Sequence, residues 1–250
     1  ILNNSPIGIF DSGLGGLTIL KELKEKFPKE RFVYVGDTAH LPYGSKSSKA
    51  ITNYSIRIAN YLTEIHSVKM IIIACHSASS IAHPRLQELF DVPMIDVIIP
   101  TCDIANQKTK SNRIAVLGTS ATIISQSYTR ALTNINNKLI VTELECPLFV
   151  PLVEEGLENS KLADNTIELY LHSIKSSDID TIILGCTHYP ILKKKLSDYL
   201  GPKIKIINTA KAVTKHLLKL DLLLDTNIGM KVNDKYFVTD FPIKFDIHAK

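Results

Sequence analysis

Short apolar runs punctuate the chain, and most of them end on glycine or on small hydroxyl residues. Ile7-Gly8-Ile9-Phe10, Phe32-Val33-Tyr34-Val35, the run from Val68 to Ala74, and Met94-Ile95-Asp96-Val97-Ile98 have strand length in the first half. Ile114-Ala115-Val116-Leu117, Leu139-Ile140-Val141, the run into Leu184, and the residues from Ile204 to Ile207 have it in the second. Continuous Ile, Leu and Val bounded by turn formers predicts strands of a parallel sheet, buried on both faces by helices. The intervening stretches carry apolar residues at helical spacing: Leu17, Leu20, Leu23 and Phe27 ahead of Pro28, then Ile51, Tyr54, Ile58, Tyr61, Leu62 and Ile65. Ser47 or Ser48 can cap the second of these helices. Further helices are predicted over Pro84 to Phe90, over Lys161 to Lys175, and from Tyr189-Pro190 onward.

Two of the runs are laid out alike. Val68 to Ala74 leads into Cys75-His76-Ser77, and Asp178 to Gly185 leads into Cys186-Thr187-His188. A thiol at the carboxyl end of a strand in an open α/β sheet sits where such sheets bind ligands. A helix starting just after each cysteine would favour an anion there and draw the thiol pKa from about 8.5 toward neutrality, so that either could act as a base. No low-complexity linker separates the halves. The expected fold is α/β, with two pseudo-symmetric parallel-sheet domains and the active site in the cleft between them. The first domain takes 1–98 plus 210–250 and holds Cys75, with Lys235-Tyr236-Phe237-Val238-Thr239 returning to it as an edge strand. The second takes 99–209 and holds Cys186.

Composition narrows the field. At 45% hydrophobic and 22% charged the chain reads as an ordinary globular protein, and no apolar run approaches the ~20 residues that cross a bilayer. Ile1 to Ile7 lacks a basic segment followed by an apolar core, so no signal peptide is read and a cytoplasmic protein is expected. The net charge of +4 comes from scattered lysines. Its densest cluster, Lys193-Lys194-Lys195, reads as a solvated helix face, which leaves no nucleic-acid or membrane partner expected. Cys75, Cys102, Cys146 and Cys186 form no C-x-x-C pair, so disulfides are not expected. Adjacent Cys and His at a strand end point apart, which argues against a metal. Cys102 and Cys146 read as small buried hydrophobes.

The glycine-rich turn Asp11-Ser12-Gly13-Leu14-Gly15-Gly16 does not read as a dinucleotide site. Thr18 stands where the third glycine belongs, and Asp11 would repel a pyrophosphate. Asp11 can serve as a turn former, as a proton acceptor or as a holder of an ammonium group. Pro42 and Gly44 bracket Tyr43 in a loop suited to present N–H and hydroxyl donors. Glu154 and Glu155 lie in an apolar context, where exposure is the default for both.

Two equivalent thiols facing one small ligand fit a particular task. A single nucleophilic cysteine leaves a symmetric partner without a role. A thiolate and a thiol on opposite faces of a carbon acid can take a proton from one side and return one to the other, exchanging roles with direction. The product is the mirror image. Donors for the carbanion's carboxylate are available from Ser12, Ser77, Thr119, Thr122 and Thr187, with Asp11 placed to adjust Cys75 and His188 to adjust Cys186.

The stretches IGIFDSGLGG, VGDTAHLPYG, LGTSAT, PLVEEG and LGCTHYP, in this order and spanning most of the chain, closely resemble the bacterial glutamate racemases. The resemblance implies cofactor-independent interconversion of L- and D-glutamate in a homodimer, supplying D-glutamate for peptidoglycan. It makes Cys75 and Cys186 the acid/base pair, assisted by Asp11, Glu154 and His188, and makes Ser12, Pro42, Tyr43, Gly44, Thr119, Thr122 and Thr187 substrate contacts. One departure stands out: the family reads Cys-Asn-Thr where this chain has Cys75-His76-Ser77. Ser77 keeps a hydroxyl. His76 changes the chemistry: it can bind the substrate carboxylate in another pose, depress the pKa of Cys75, or shift substrate preference. Two rival readings remain, a racemase of aspartate or a related acid and a catalytically silent glutamate-binding module; the PYG and CTHYP stretches favour glutamate.

Overall fold

Every apolar run forms a strand in the computed structural model, which describes residues 5–220 and 233–240. The strands are β1 (Ile7–Asp11), β2 (Phe32–Gly36), β3 (Met70–Ile73), β4 (Met94–Asp96), β5 (Arg113–Gly118), β6 (Ile140–Glu145), β7 (Thr181–Gly185), β8 (Lys205–Ile207) and β9 (Lys235–Val238). All neighbours are parallel. Those parts of the signal-peptide and first-domain readings that fall on 1–4, 221–232 and 241–250 lie outside the described residues.

The strands divide into a five-stranded sheet, β4-β3-β1-β2-β9, and a four-stranded sheet, β6-β5-β7-β8. Read from its other edge, the second sheet runs β8-β7-β5-β6. With β5 to β8 taken as counterparts of β1 to β4, that is the order of the first sheet without β9. The repeat seen in the sequence is therefore a repeat of topology, and the two cysteine strands, β3 and β7, are counterparts. Each of β1, β2, β3 and β7 is buried along its whole length, because helices cover both faces. Ile71 and Ile73 pack on one side of β3 against Leu62, Ala78 and Leu86. Ile72 packs on the other against Leu20, Leu23 and Val213. The strand expected over Lys235 to Thr239 forms as the parallel edge neighbour of β2.

Three expectations change. The run Met94 to Ile98 is not one strand: β4 stops at Asp96 and a helix, Ile98–Lys108, begins. Asp96 Oδ1 accepts the N–H groups of Ile98 at 2.6 Å and Ile99 at 2.9 Å, and so starts that helix. Second, the helix capped by Ser47, which accepts from Ala50 N, widens into a π turn over Tyr61–Ile65. The changed period turns Ile65 off the apolar face to 65% exposure; Tyr54 and Tyr61 still pack against the core as expected. Third, a helix follows Cys75 at once, His76–Ile81, whereas Cys186 is followed by a 3-10 turn, Tyr189–Leu192, ahead of helix Lys193–Leu200. No helix among the described residues is long and apolar enough to cross a membrane.

Candidate active site

Parallel strands deliver their following residues to one edge of each sheet. β1 presents Asp11 and Ser12, β3 presents Cys75, β5 presents Thr119, and β7 presents Cys186 and Thr187. The two edges meet. One pocket is lined by both thiols together with Ser12, Ser77, Thr119 and Thr187. Pro42, Tyr43, Gly44, His76 and His188 complete its wall, along with Val150, which sequence reasoning missed because an apolar residue carries no chemical signal. The free volume is about 10 Å³, room for about one water. The cleft is shut.

Hydroxyls form the seam. Ser77 Oγ lies 3.0 Å from Thr119 Oγ1 and 3.4 Å from Thr122 Oγ1, and the two threonines are 3.2 Å apart. Thr122 is fully buried behind this cluster, outside the pocket wall. Thr187 Oγ1 donates to Asp11 Oδ1 at 3.4 Å. Asp11 is itself fully buried, and its Oδ2 accepts the N–H groups of Gly13 and Gly16, each at 3.1 Å. It therefore acts as a turn former while facing the second half.

The Pro42-Tyr43-Gly44 loop is held from behind. Tyr43 donates its hydroxyl to Asp37 Oδ2 at 2.5 Å, and Thr239, next to the end of β9, donates to Asp37 Oδ1 at 2.7 Å. That hydroxyl is committed to the loop, contrary to its expected role as a ligand donor. The part played by Asp37 and Thr239 was not legible, since their link crosses about two hundred residues of chain.

Charge is distributed unequally over the thiols. Burial pushes the Cys75 thiol up to about 12, and the charge of Asp11 adds to the effect; Ala78 N–H and the Ser12 hydroxyl pull the other way and lose. The expectation of a helix terminus bringing this thiol toward neutrality is thus overturned, because desolvation at 4% exposure outweighs a single helix turn. Burial also raises the Asp11 carboxyl, against the charge of His188 and its backbone donors. For His188 burial opposes charging, yet hydrogen bonds to Cys186 and Glu154 outweigh it and hold the imidazole well above its ordinary pKa. Its Nδ1 lies 3.7 Å from Cys186 Sγ, and its Nε2 pairs with Glu154. The imidazolium is placed to donate to a Cys186 thiolate. Glu154 thereby leaves the exposed default and stands one residue behind the pocket.

His76 is held neutral and turned toward the second half. Burial lowers it to about 3, and its Nδ1 lies 2.6 Å from the hydroxyl of Tyr128, across the cleft. The Cys75 thiol rises rather than falls, so the depression expected from His76 is not seen. Cys102 and Cys146 are fully buried in the cores of the second half, as expected. No group of three or more His, Cys, Asp or Glu able to hold a metal occurs among the described residues.

Glu154→Gln removes the carboxylate that favours the imidazolium, and the His188 titration should fall toward its ordinary range. Histidine ring proton shifts followed against pH measure it; an unmoved midpoint would show that Cys186 alone sets the charge.

Residues 15–217 match the family model Asp/Glu/Hydantoin racemase. The chain is 44% identical over 241 residues to the glutamate racemase of Sulfurihydrogenibium sp. (strain YO3AOP1), covering 96% of this chain and 91% of that protein. It is 46% identical over 242 residues to the glutamate racemase of Persephonella marina, covering 96% and 90%. Among solved structures, glutamate racemase isoform RacE1 from Bacillus anthracis superposes with a TM-score of 0.90 at 33% identity, covering 99% and 93%. The Francisella tularensis glutamate racemase, in complex with D-glutamate, superposes with 0.89 at 37% identity, covering 99% and 92%. With most of its length matched, the chain belongs to the Asp/Glu/hydantoin racemase family.

Proposed function

We propose that the chain interconverts L- and D-glutamate without a cofactor, by moving a proton across Cα between Cys75 and Cys186. The observation that carries this reading is that counterpart strands of two like-ordered sheets bring one thiol each to the same pocket. In this scheme Cys75 holds its proton at rest, and Cys186, with the His188 imidazolium beside it, starts as the base. Cys186 then removes the Cα proton from one enantiomer, and the electron pair passes into the carboxylate. Hydroxyls of Ser12, Ser77, Thr119 and Thr187 take up that charge. Cys75 delivers its proton to the opposite face, leaving Cys75 as thiolate and Cys186 as thiol. Asp11 faces the substrate ammonium. The reverse reaction exchanges the parts.

A pocket with room for about one water must open to admit glutamate, and the chain crossings near 98–99 and 209–210 are where we place the division between 1–98 plus 210–250 and 99–209. Gly44 sets how tightly it closes: a Cβ there would lie 2.4 Å from Thr119 Cβ, under any tolerable contact. Gly44→Ala should hold the seam apart and lower kcat/KM by about ten-fold or more, read by racemisation kinetics. The same reading takes the working form as a cytoplasmic homodimer that supplies D-glutamate for peptidoglycan.

The deciding experiment incubates the protein with L-glutamate and, separately, L-aspartate in D2O, following optical rotation and loss of the Cα proton signal. Exchange and racemisation with glutamate are expected. Turnover of aspartate instead would move the substrate to the other acid of the family, and binding without exchange would make the chain a silent glutamate-binding module.

A further inference from the structure

His76 and Thr187 line a second cavity as well as the catalytic pocket. Its free volume is about 130 Å³, close to that of a dry cavity of about 150 Å³ able to hold benzene. It lies between helix Leu17–Lys26, the start of helix Thr209–Leu220 and the segment after Cys186. Three features of its wall are unsatisfied. Thr209 is 9% exposed, and its Oγ1 is buried without a hydrogen-bond partner, a state that costs stability unless a ligand supplies the partner. Thr209 opens a twelve-residue helix whose first N–H groups have no intrahelical partners and whose positive end favours an anion; Asn208 Oδ1 takes only the N–H of Lys211, at 3.0 Å. Lys193 and Glu22 both line it, one from each half of the molecule, and neither has an ion-pair partner among the described residues.

We propose that this cavity is a binding site for a small zwitterionic amino acid. The carboxylate is received by the Thr209 hydroxyl, the helix start and Lys193; the ammonium is received by Glu22. A plain anion would meet the Glu22 carboxylate uncompensated. The volume suits a molecule such as β-alanine, which has as many non-hydrogen atoms as benzene. Because Glu22 belongs to one half and Lys193 and Thr209 to the other, an occupant ties the halves together, with His76 and Thr187 as the shared wall toward the thiols.

Calorimetric titration of the full chain with β-alanine should show one saturable site, unchanged in Cys75→Ser. Thr209→Val keeps the side-chain shape and removes only the unpaired hydroxyl, so its melting temperature should hold or rise while β-alanine affinity falls about ten-fold or more. Lys193→Ala, at an exposed position, and Glu22→Gln should weaken binding likewise, and propionate, which lacks the ammonium, should bind about ten-fold more weakly than β-alanine to the unaltered protein. No binding, binding that survives Thr209→Val and Glu22→Gln, or propionate binding as tight as β-alanine would each overturn the proposal. β-Alanine should also slow glutamate turnover in the unaltered protein and leave Thr209→Val unaffected; equal inhibition of both would place it in the catalytic pocket and overturn the site. The turnover readout rests on the proposed racemisation and the calorimetric one does not, so the two readings can fail separately.

Discussion

Cys75→Ser and Cys186→Ser should each lower glutamate racemisation by roughly 10²–10⁴-fold, the range that one positioned acid or base contributes. The two losses should differ in kind. With Cys75 replaced, Cys186 beside its imidazolium can still take the Cα proton from the enantiomer that faces it, and the carbanion can be quenched only on the side it came from. That enantiomer should exchange its Cα proton for deuterium without inverting. Cys186→Ser should show the same behaviour toward the opposite enantiomer, and more slowly, since Cys75 must first lose a proton that burial and Asp11 hold up to about 12. Proton NMR of each pure enantiomer in D2O, read beside polarimetry, separates exchange from inversion. Racemisation left intact in either variant, or both variants exchanging the same enantiomer, would remove the two-thiol assignment.

This asymmetry arises from what stands behind each sulfur. Cys75 sits between the dry core of the first sheet and a buried carboxylate, which together keep it protonated in the closed state. Cys186 has behind it the His188 imidazolium, placed to donate to its sulfur, and the Glu154 carboxylate paired with that ring. A closed, nearly dry pocket strengthens both effects, since neither charge is screened by water. In the proposed cycle, opening to admit substrate would let water reach Cys75 and weaken the desolvation that holds its proton. In the proposed reaction the ammonium of glutamate, placed toward Asp11, would offset the remaining carboxylate charge. The thiol that rests as the acid can therefore become the base once substrate is present, as a reversible reaction requires.

The sequence carried the strands and the thiols well because both are local signals. A strand buried on both faces must be apolar along its length, so β1, β3, β5 and β7 read directly. β6 read only as far as Val141, because its later residues, Thr142 to Glu145, are partly exposed at a sheet edge and mix polar with apolar side chains. The Ile98–Lys108 helix was absorbed into the strand before it: Ile98 continues the apolar run, and nothing local distinguishes an Asp96 that ends a strand from one within it. Depth was illegible altogether. The misjudged ionisation of Cys75 follows from that, since a helix start can be read from a pattern and 4% exposure cannot. The long-range contacts were likewise hidden, from the Tyr43–Asp37–Thr239 chain to the meeting of His76 with Tyr128.

His76 should make the protein sensitive to acid. Its folded pKa of about 3 lies below the ordinary value of 6.5. Between those values the unfolded chain takes up a proton that the folded one refuses, so stability is complete above about pH 6.5 and falls as pH drops toward 3. The slope of this one group approaches about 1.4 kcal/mol per pH unit and reaches a few kcal/mol in all. His76→Asn removes the titration and should flatten that part of the profile. Near pH 7.5 the same change disturbs the 2.6 Å contact to the Tyr128 hydroxyl and should cost about 1 kcal/mol if asparagine leaves it unpaired. The two stability curves therefore cross. Urea unfolding of both proteins at intervals from pH 7.5 to 4 measures it, and parallel curves would show that the imidazole is protonated in the folded state, exchanging a cross-cleft hydrogen bond of neutral groups for a buried cation beside Cys75.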